Sequence, residues 1–251
     1  MTLPSDPSFY IIATLAIVLV GLAKGGFVGM GAACMPILTL VIDPVRGAAI
    51  LLPILLVQDV VGVWAFRKTW DKSLLKVMLP GALAGIALGW WFAASVDVST
   101  VQGMVGMLAI LFGANRLLDQ AGLSMKLPEN LPAWPGFFFG AASGFTSQVA
   151  HAGGPPFQIW AIPRKYGREM FAGTSAIFFA VVNWAKVPAF AALGQFTGEN
   201  LALSAIFLPV AILSTFAGVA LVRRVPVTRF YTIIYVLMIL VGLKLVQEAW
   251  L

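Results

Sequence analysis

The sequence predicts an all-α polytopic integral membrane protein made of two inverted repeats, each a glycine-broken re-entrant hairpin plus three transmembrane helices. Three observations lead there. Of the 251 residues, 60% are hydrophobic and 10% charged, against roughly 25% charged in a soluble domain. Apolar runs such as 11–22, 80–94 and 231–243 recur along the chain, and a bilayer core takes about 20 mainly apolar residues per helical crossing. Leu79-Pro80, Gly89, "VDVST" (96–100) and Gly113 return 129 residues later as Leu208-Pro209, Gly218, "VPVTR" (225–229) and Gly242. At an offset of 120, "GMGAACMP" (29–36) faces "VAHAGGPP" (149–156). The chain is therefore read as a duplication.

The start, "MTLPSDPSFY", lacks a positive n-region and no small-residue cleavage site follows, so the first apolar run is expected to be mature structure. That run, 8–42, is broken at Gly25, Gly26, Gly29 and Gly31 and closes on Pro36. Segments 47–66, 74–94 and 99–118 follow as plausible helices. The polar stretch "DQAGLSMKLPENLPAWP" then punctuates the chain, giving an N-terminal membrane repeat over 1–118, a linker over 119–134 and a C-terminal membrane repeat over 135–251. The second repeat opens with 135–162, broken at His151, Gly153 and Gly154 before Pro155 and Pro156. Helices are expected over 170–192, 200–221 and 229–249.

Basic residues decide between crossing and returning. Formal charge is +6, but the cations cluster between apolar segments and report orientation, so no nucleic-acid partner is expected. If each broken segment were a single crossing, the clusters at 67–76 and 164–168 would fall on opposite faces. If each enters and returns on one face, twelve of the sixteen Lys and Arg lie inside, including Arg116, Lys126, Arg223, Arg224 and Arg229. Arg46 and Lys244 then lie outside, and Lys24 and Lys186 within apolar sequence. The second arrangement follows the positive-inside rule. Each half then has an odd number of full crossings, so the halves are inverted and their breaks approach near the midplane, as in inverted-repeat transporters.

The glycines of the breaks permit positive φ and close approach of a ligand. Pro36, Pro155 and Pro156 suit the first turn of a new helix, whose N-terminus favours an anion. The competing reading is that membrane glycines only allow close packing, as expected for Gly81, Gly85 and Gly89.

Asp59, beside Gln58, lies deep in an apolar helix, as proton carrier or as counter-charge to a lysine. Lys24 sits at the lip of the first break, to serve the site or to snorkel; Lys186 is nearer a helix end, where snorkelling is the stronger reading. Asn183 is a ligand contact or an interhelical hydrogen bond. His151 is a candidate for anion binding or proton relay, against the plainer role of a satisfied hydrogen-bonding group. Gln148, Thr174 and Ser175 offer donors to substrate oxygens. Cys34 reads as an apolar filler, and Trp90, Trp91, Trp134 and Trp250 as interface anchors. No metal-ligand cluster and no cofactor motif is found.

The breaks "GLAKGGFVGMGAACMPIL" and "GAASGFTSQVAHAGGPPFQIW", with "REMFAGTSAIFF" (168–179) after the second, resemble the sulfite exporter TauE/SafE family, also called the toluene sulfonate uptake permease family. The resemblance covers nearly the whole chain. The first half has "GMGAAC" where the family usually has a run of glycines, and His151 stands in the second break. The resemblance implies a secondary transporter, often an exporter, of a small sulfur-containing or organic anion such as sulfite, thiosulfate or a sulfonate, with proton coupling; in this sequence Asp59 or His151 is expected to handle such a proton. It also implies a multi-pass protein of the cell inner membrane. The expected partners are that anion and the lipid bilayer, with homo-oligomerisation left open. A passive small-anion channel would use the same parts. An integral membrane enzyme would need a nucleophile, base or metal constellation that one histidine, one cysteine and a single deep carboxylate do not supply.

Overall fold

A computed structural model describes residues 4, 6–27, 29–123, 131–222 and 228–250. Lys126, Arg223, Arg224, part of the polar linker and part of the repeated "VPVTR" lie outside the described residues, and the Arg229 side chain is likewise not described. The long helices are α1 (Pro7–Lys24), α3 (Pro44–Phe66), α4 (Lys72–Ala93), α5 (Val98–Gln120), α6 (Pro135–Ala150), α8 (Arg168–Ala192), α9 (Gly198–Leu221) and α10 (Thr228–Trp250). Two short helices, α2 (Cys34–Leu38) and α7 (Gly154–Ala161), form the second arms of the broken segments. The six helices expected outside the breaks start and end within three residues of their predicted limits.

Local chemistry explains the starts. Asp6, Asp43, Asp71 and Asp97 precede α1, α3, α4 and α5, and each side chain accepts a backbone N–H of the first turn, at 2.9 Å from Ser8, 2.8 Å from Arg46, 2.7 Å from Ser73 and 2.9 Å from Thr100. Such caps satisfy donors that the helix itself leaves free. Pro7 and Pro44 occupy first-turn positions that need no N–H.

Among the described residues, seven helices are long and apolar enough to cross a membrane: α1, α3, α4, α5, α8, α9 and α10. The first arm of the first break thus reaches nearly the thickness of a bilayer core, about 27 Å at 1.5 Å per residue. Val60, Leu88, Ile206 and Leu213 project outward with most or much of their surface exposed, a placement that only lipid makes favourable for so many large apolar side chains.

Both broken segments fold back. In the second, Ser143 Oγ donates to the Gly153 carbonyl at 2.6 Å, and a Cβ added at Gly136 would lie 2.7 Å from Trp160 Nε1. Helix α7 therefore runs antiparallel beside α6. In the first, α1 runs parallel to α9, through Phe9 with Phe207 and Gly25 with Gly218. Helix α3 is also parallel to α9, through Arg46 with Asn200 and Ser204 with Ile50. Since α1 and α3 run the same way, residues 25–43 must return the chain to the end where it began, and α2 packs on α1 as it does so.

The long helices pack in pairs. Helix α4 lies on α6 as α9 lies on α1, while α3 meets α8 and α5 meets α10. The α3–α8 pair is antiparallel, with Phe66 near Gly173 and Gly62 near Ala176. Backbone meets backbone where α4 lies on α6: a Cβ at Gly81, Gly85, Gly140 or Gly144 would fall 2.0 to 2.1 Å from a carbonyl oxygen of the facing helix. The packing role expected of Gly81 and Gly85 is what the structure shows, and Gly89 packs against Gln148 in the same row.

Candidate functional site

The second break ends α6 at Ala150 and turns the next residue, His151, into the left-handed region at φ 48° and ψ 24°. Its N–H donates to the Ser147 carbonyl and that of Ala152 to Thr146, both at 3.1 Å, a helix terminus usually built on glycine. The ring is held on both sides. Nε2 lies 3.0 Å from the Ala48 carbonyl of α3, and Nδ1 2.7 Å from Lys186 Nζ of α8. A carbonyl only accepts, so Nε2 carries the hydrogen and Nδ1 is left bare to accept from Lys186. Lys186 Nζ also lies 3.2 Å from the Ser147 carbonyl and 3.1 Å from Ser147 Oγ. Its three N–H groups therefore have three partners. It does not snorkel: its side chain is 0% exposed, because these inward acceptors replace the water that a headgroup region would offer.

The first break places Lys24 at the last position of α1, where Nζ makes a close ion pair with Asp59 Oδ1 of α3. Asn183 Nδ2 of α8 donates to the other carboxylate oxygen, Oδ2, at 2.6 Å. Asp59 is 1% exposed and the Lys24 side chain 11%. Asp59 is thus the counter-charge to a lysine, and Lys24 faces inward with its Nζ 5.4 Å from the centre of the Phe179 ring. Beyond it Gly26 and Gly29 take φ of 121° and 104°, values at which a side chain would strain the backbone.

These groups surround one cavity. The first break contributes Lys24, Gly29 and Gly31, the second Ser147, His151, Gly154 and Gln158, and α8 adds Ser175, Phe179 and Asn183. The space between these side chains is partly open to solvent. Lys24 brings a cationic side chain to the wall, with Asp59 bonded behind it, and such a group favours a negative guest.

Other candidates stand back from the cavity wall. Gly25 lies against the backbone of Gly218, and Gly26 against Val222. Gly153 packs inside its own hairpin, near the Ser143 carbonyl. Gln58 turns toward α9, its Nε2 3.4 Å from the Ala211 carbonyl. Gln148 backs the α4–α6 contact at Gly89. Thr174 is fully buried, with Oγ1 accepting the Asp71 N–H at 2.9 Å and donating to the Met170 carbonyl at 2.7 Å. It joins helix ends.

Helix N-termini contribute less than the sequence suggested. Pro155 and Pro156 occupy the second and third positions of α7, which removes two of the N–H groups an anion would use. The first break resumes as a 3-10 turn (Met30–Ala33) running directly into α2, so α2 has no open first turn. Side chains carry the site. Sequence reasoning missed Ser147, Phe179 and Gln158. Ser147 stands four residues before His151, the spacing that puts both on one helical face, and Gln158 is a polar residue in an apolar arm.

A family model described as Sulfite exporter TauE/SafE matches residues 13–245, nearly the whole chain. No curated protein and no solved structure matches it.

Proposed function

The chain belongs to the sulfite exporter TauE/SafE family of membrane transporters, and on that premise we propose that it is a secondary transporter, probed best as an exporter, of a small sulfur-containing or organic anion such as sulfite, thiosulfate or a sulfonate. The observation that carries this reading is the cavity that both glycine breaks share, with Lys24, Asn183 and His151 in its wall and Asp59 and Lys186 bonded to them from behind. In this reading the antiparallel α3 and α8 relate two inverted repeats, and rocking of one against the other exposes the cavity to each face in turn. The basic clusters at 67–76 and 164–168 face the cytoplasm, which suits a multi-pass protein of the cell inner membrane.

Proton coupling follows from the Lys24–Asp59 pair. An anion that binds Lys24 competes with the Asp59 carboxylate, and a proton on Asp59 removes the competitor. Anion and proton therefore bind together and travel together. His151, held between Ala48 and Lys186, keeps Lys186 turned toward Ser147.

The test is flux in proteoliposomes loaded with labelled sulfite, thiosulfate, 1-propanesulfonate or a short carboxylate, with and without a pH gradient. The expected result is saturable flux of the sulfur anions, exchange of label across the membrane, and acceleration when the substrate side is acid. Flux that never saturates would make the protein a pore, and flux confined to carboxylates would overturn the substrate class.

A further inference from the structure

Two amide side chains in the cavity wall deepen the reading above, on which this inference rests. Gln158, 3% exposed, receives Arg116 Nη2 of α5 on its Oε1. A guanidinium has five N–H donors and no acceptor, so the contact permits one orientation of the amide: oxygen toward Arg116, NH2 away from it. That nitrogen finds no hydrogen-bond partner among the described residues and lies beside Gly154, another lining residue, 3.5 Å from a Cβ position there. Arg116 is itself anchored, its guanidinium 5.3 Å from the Phe112 ring centre and its Nη1 3.5 Å from Asp119 Oδ2.

Asn183, 2% exposed, is set the other way. Its Nδ2 donates to Asp59 Oδ2, an oxygen that accepts both when the carboxylate is ionised and when a proton sits on Oδ1, the oxygen that Lys24 leaves. The amide must therefore turn its nitrogen to Asp59, which leaves Oδ1 without a partner among the described residues at a cavity that Asn183 and Gln158 both line.

We infer that the cavity presents one fixed donor, from Gln158, and one fixed acceptor, from Asn183, and so selects an anion that carries a hydrogen-bond donor of its own, such as a hydroxy-sulfonate or a singly protonated oxyanion. An anion without that donor leaves the Asn183 oxygen unpaired once water is excluded, and a site built to bond a hydroxyl rejects the analogue lacking it. A fully deprotonated anion also sets its charge against a carbonyl oxygen. Arg116 and Asp59 act as positioning residues, fixing which end of each amide the guest meets.

The test compares 2-hydroxyethanesulfonate with 1-propanesulfonate, which have the same shape with hydroxyl in place of methyl, by titration calorimetry on the purified full-length protein. The hydroxylated anion is expected to bind about tenfold more tightly despite its lower hydrophobicity. Asn183→Leu is expected to bring that ratio close to one. Arg116→Gln frees Gln158 to turn, and is expected to weaken both ligands by a similar factor while the ratio and the melting temperature in detergent persist; a purely structural loss would lower the melting temperature as well. Equal or reversed affinities in the unaltered protein would overturn the inference and leave the transport reading standing. Failure of both sulfonates to bind folded protein would overturn the inference, and failure of sulfite and thiosulfate to bind as well would overturn both. The first comparison needs no variant, so a variant that does not fold leaves the test intact.

Discussion

His151 occupies a backbone conformation that glycine adopts at lower cost, and its ring contacts explain its presence there. His151→Gly relieves the backbone but removes the bonds to Ala48 and Lys186. These effects offset, so melting in detergent is expected to change by less than about 1 kcal/mol, while flux in proteoliposomes falls. Full flux in this variant would remove the ring from the mechanism. The Lys24–Asp59 pair behaves differently because it is buried. Removing one partner strands a charge, so Lys24→Met is expected to cost about 3 to 5 kcal/mol. Lys24→Met with Asp59→Asn should recover part of that stability without recovering transport. Recovery of transport in the double variant would show that the pair only stabilises the fold.

Helix α4 is held at its start and along its length by distinct devices. At its start Asp71 caps the first turn and accepts from the Tyr166 hydroxyl, which joins the α3–α4 connection to the chain before α8. Partial burial draws the Asp71 carboxyl up, but hydrogen bonds from Tyr166, from Ser73 and from the Leu74 N–H outweigh it and hold it below the usual carboxylate range. The Tyr166 phenol is pushed up, by burial first and then by Asp71, and so remains a donor. A depressed carboxyl contributes stability above its unfolded value, near 4, and loses it as pH falls through the folded value. Asp71→Ala is therefore expected to cost about 1 kcal/mol at neutral pH, with the difference from the parent shrinking below about pH 4. A difference that is flat with pH would show that the carboxylate is not responsible. Along its length α4 depends on backbone contact with α6. Gly85→Leu places atoms where the Ala141 carbonyl lies 2.0 Å from a Cβ position and should prevent folded protein from accumulating. Gly167→Ala, with nothing within 4 Å of its Cβ position, should be silent in the same melting assay.

The arrangement of all the helices makes a topological prediction. Arg46 reaches Asn200 and Glu199 at one end of the bundle, and Asp71 reaches Thr174 and Tyr166 at the other. Single cysteines at 68 and 165 should label from the cytoplasmic side, and cysteines at 96 and 195 from the opposite side. Cys34 is buried and gives little background in that experiment. Labelling of 68 and 165 from opposite faces would mean that a broken segment crosses the membrane, and the paired-hairpin architecture would fall with it.

Composition and the positions of both breaks were legible in the sequence, because solvent preference and backbone permissiveness are properties of short stretches. Asp before Pro7 and Pro44, or glycines four apart at 81, 85 and 89, act through their immediate neighbours. The site was only half legible. Lys24, Asp59, Asn183, Lys186 and His151 each stood out as polar in apolar surroundings, yet their separations of 35 to 124 residues hid which of them meet. Lys186 pointed to a headgroup on sequence grounds, since no short window shows that Ser147 and His151 wait beside it. Tertiary structure alone decided the partners, and through them which way the amides of Gln158 and Asn183 face, because a hydrogen bond's direction depends on the group it meets in space.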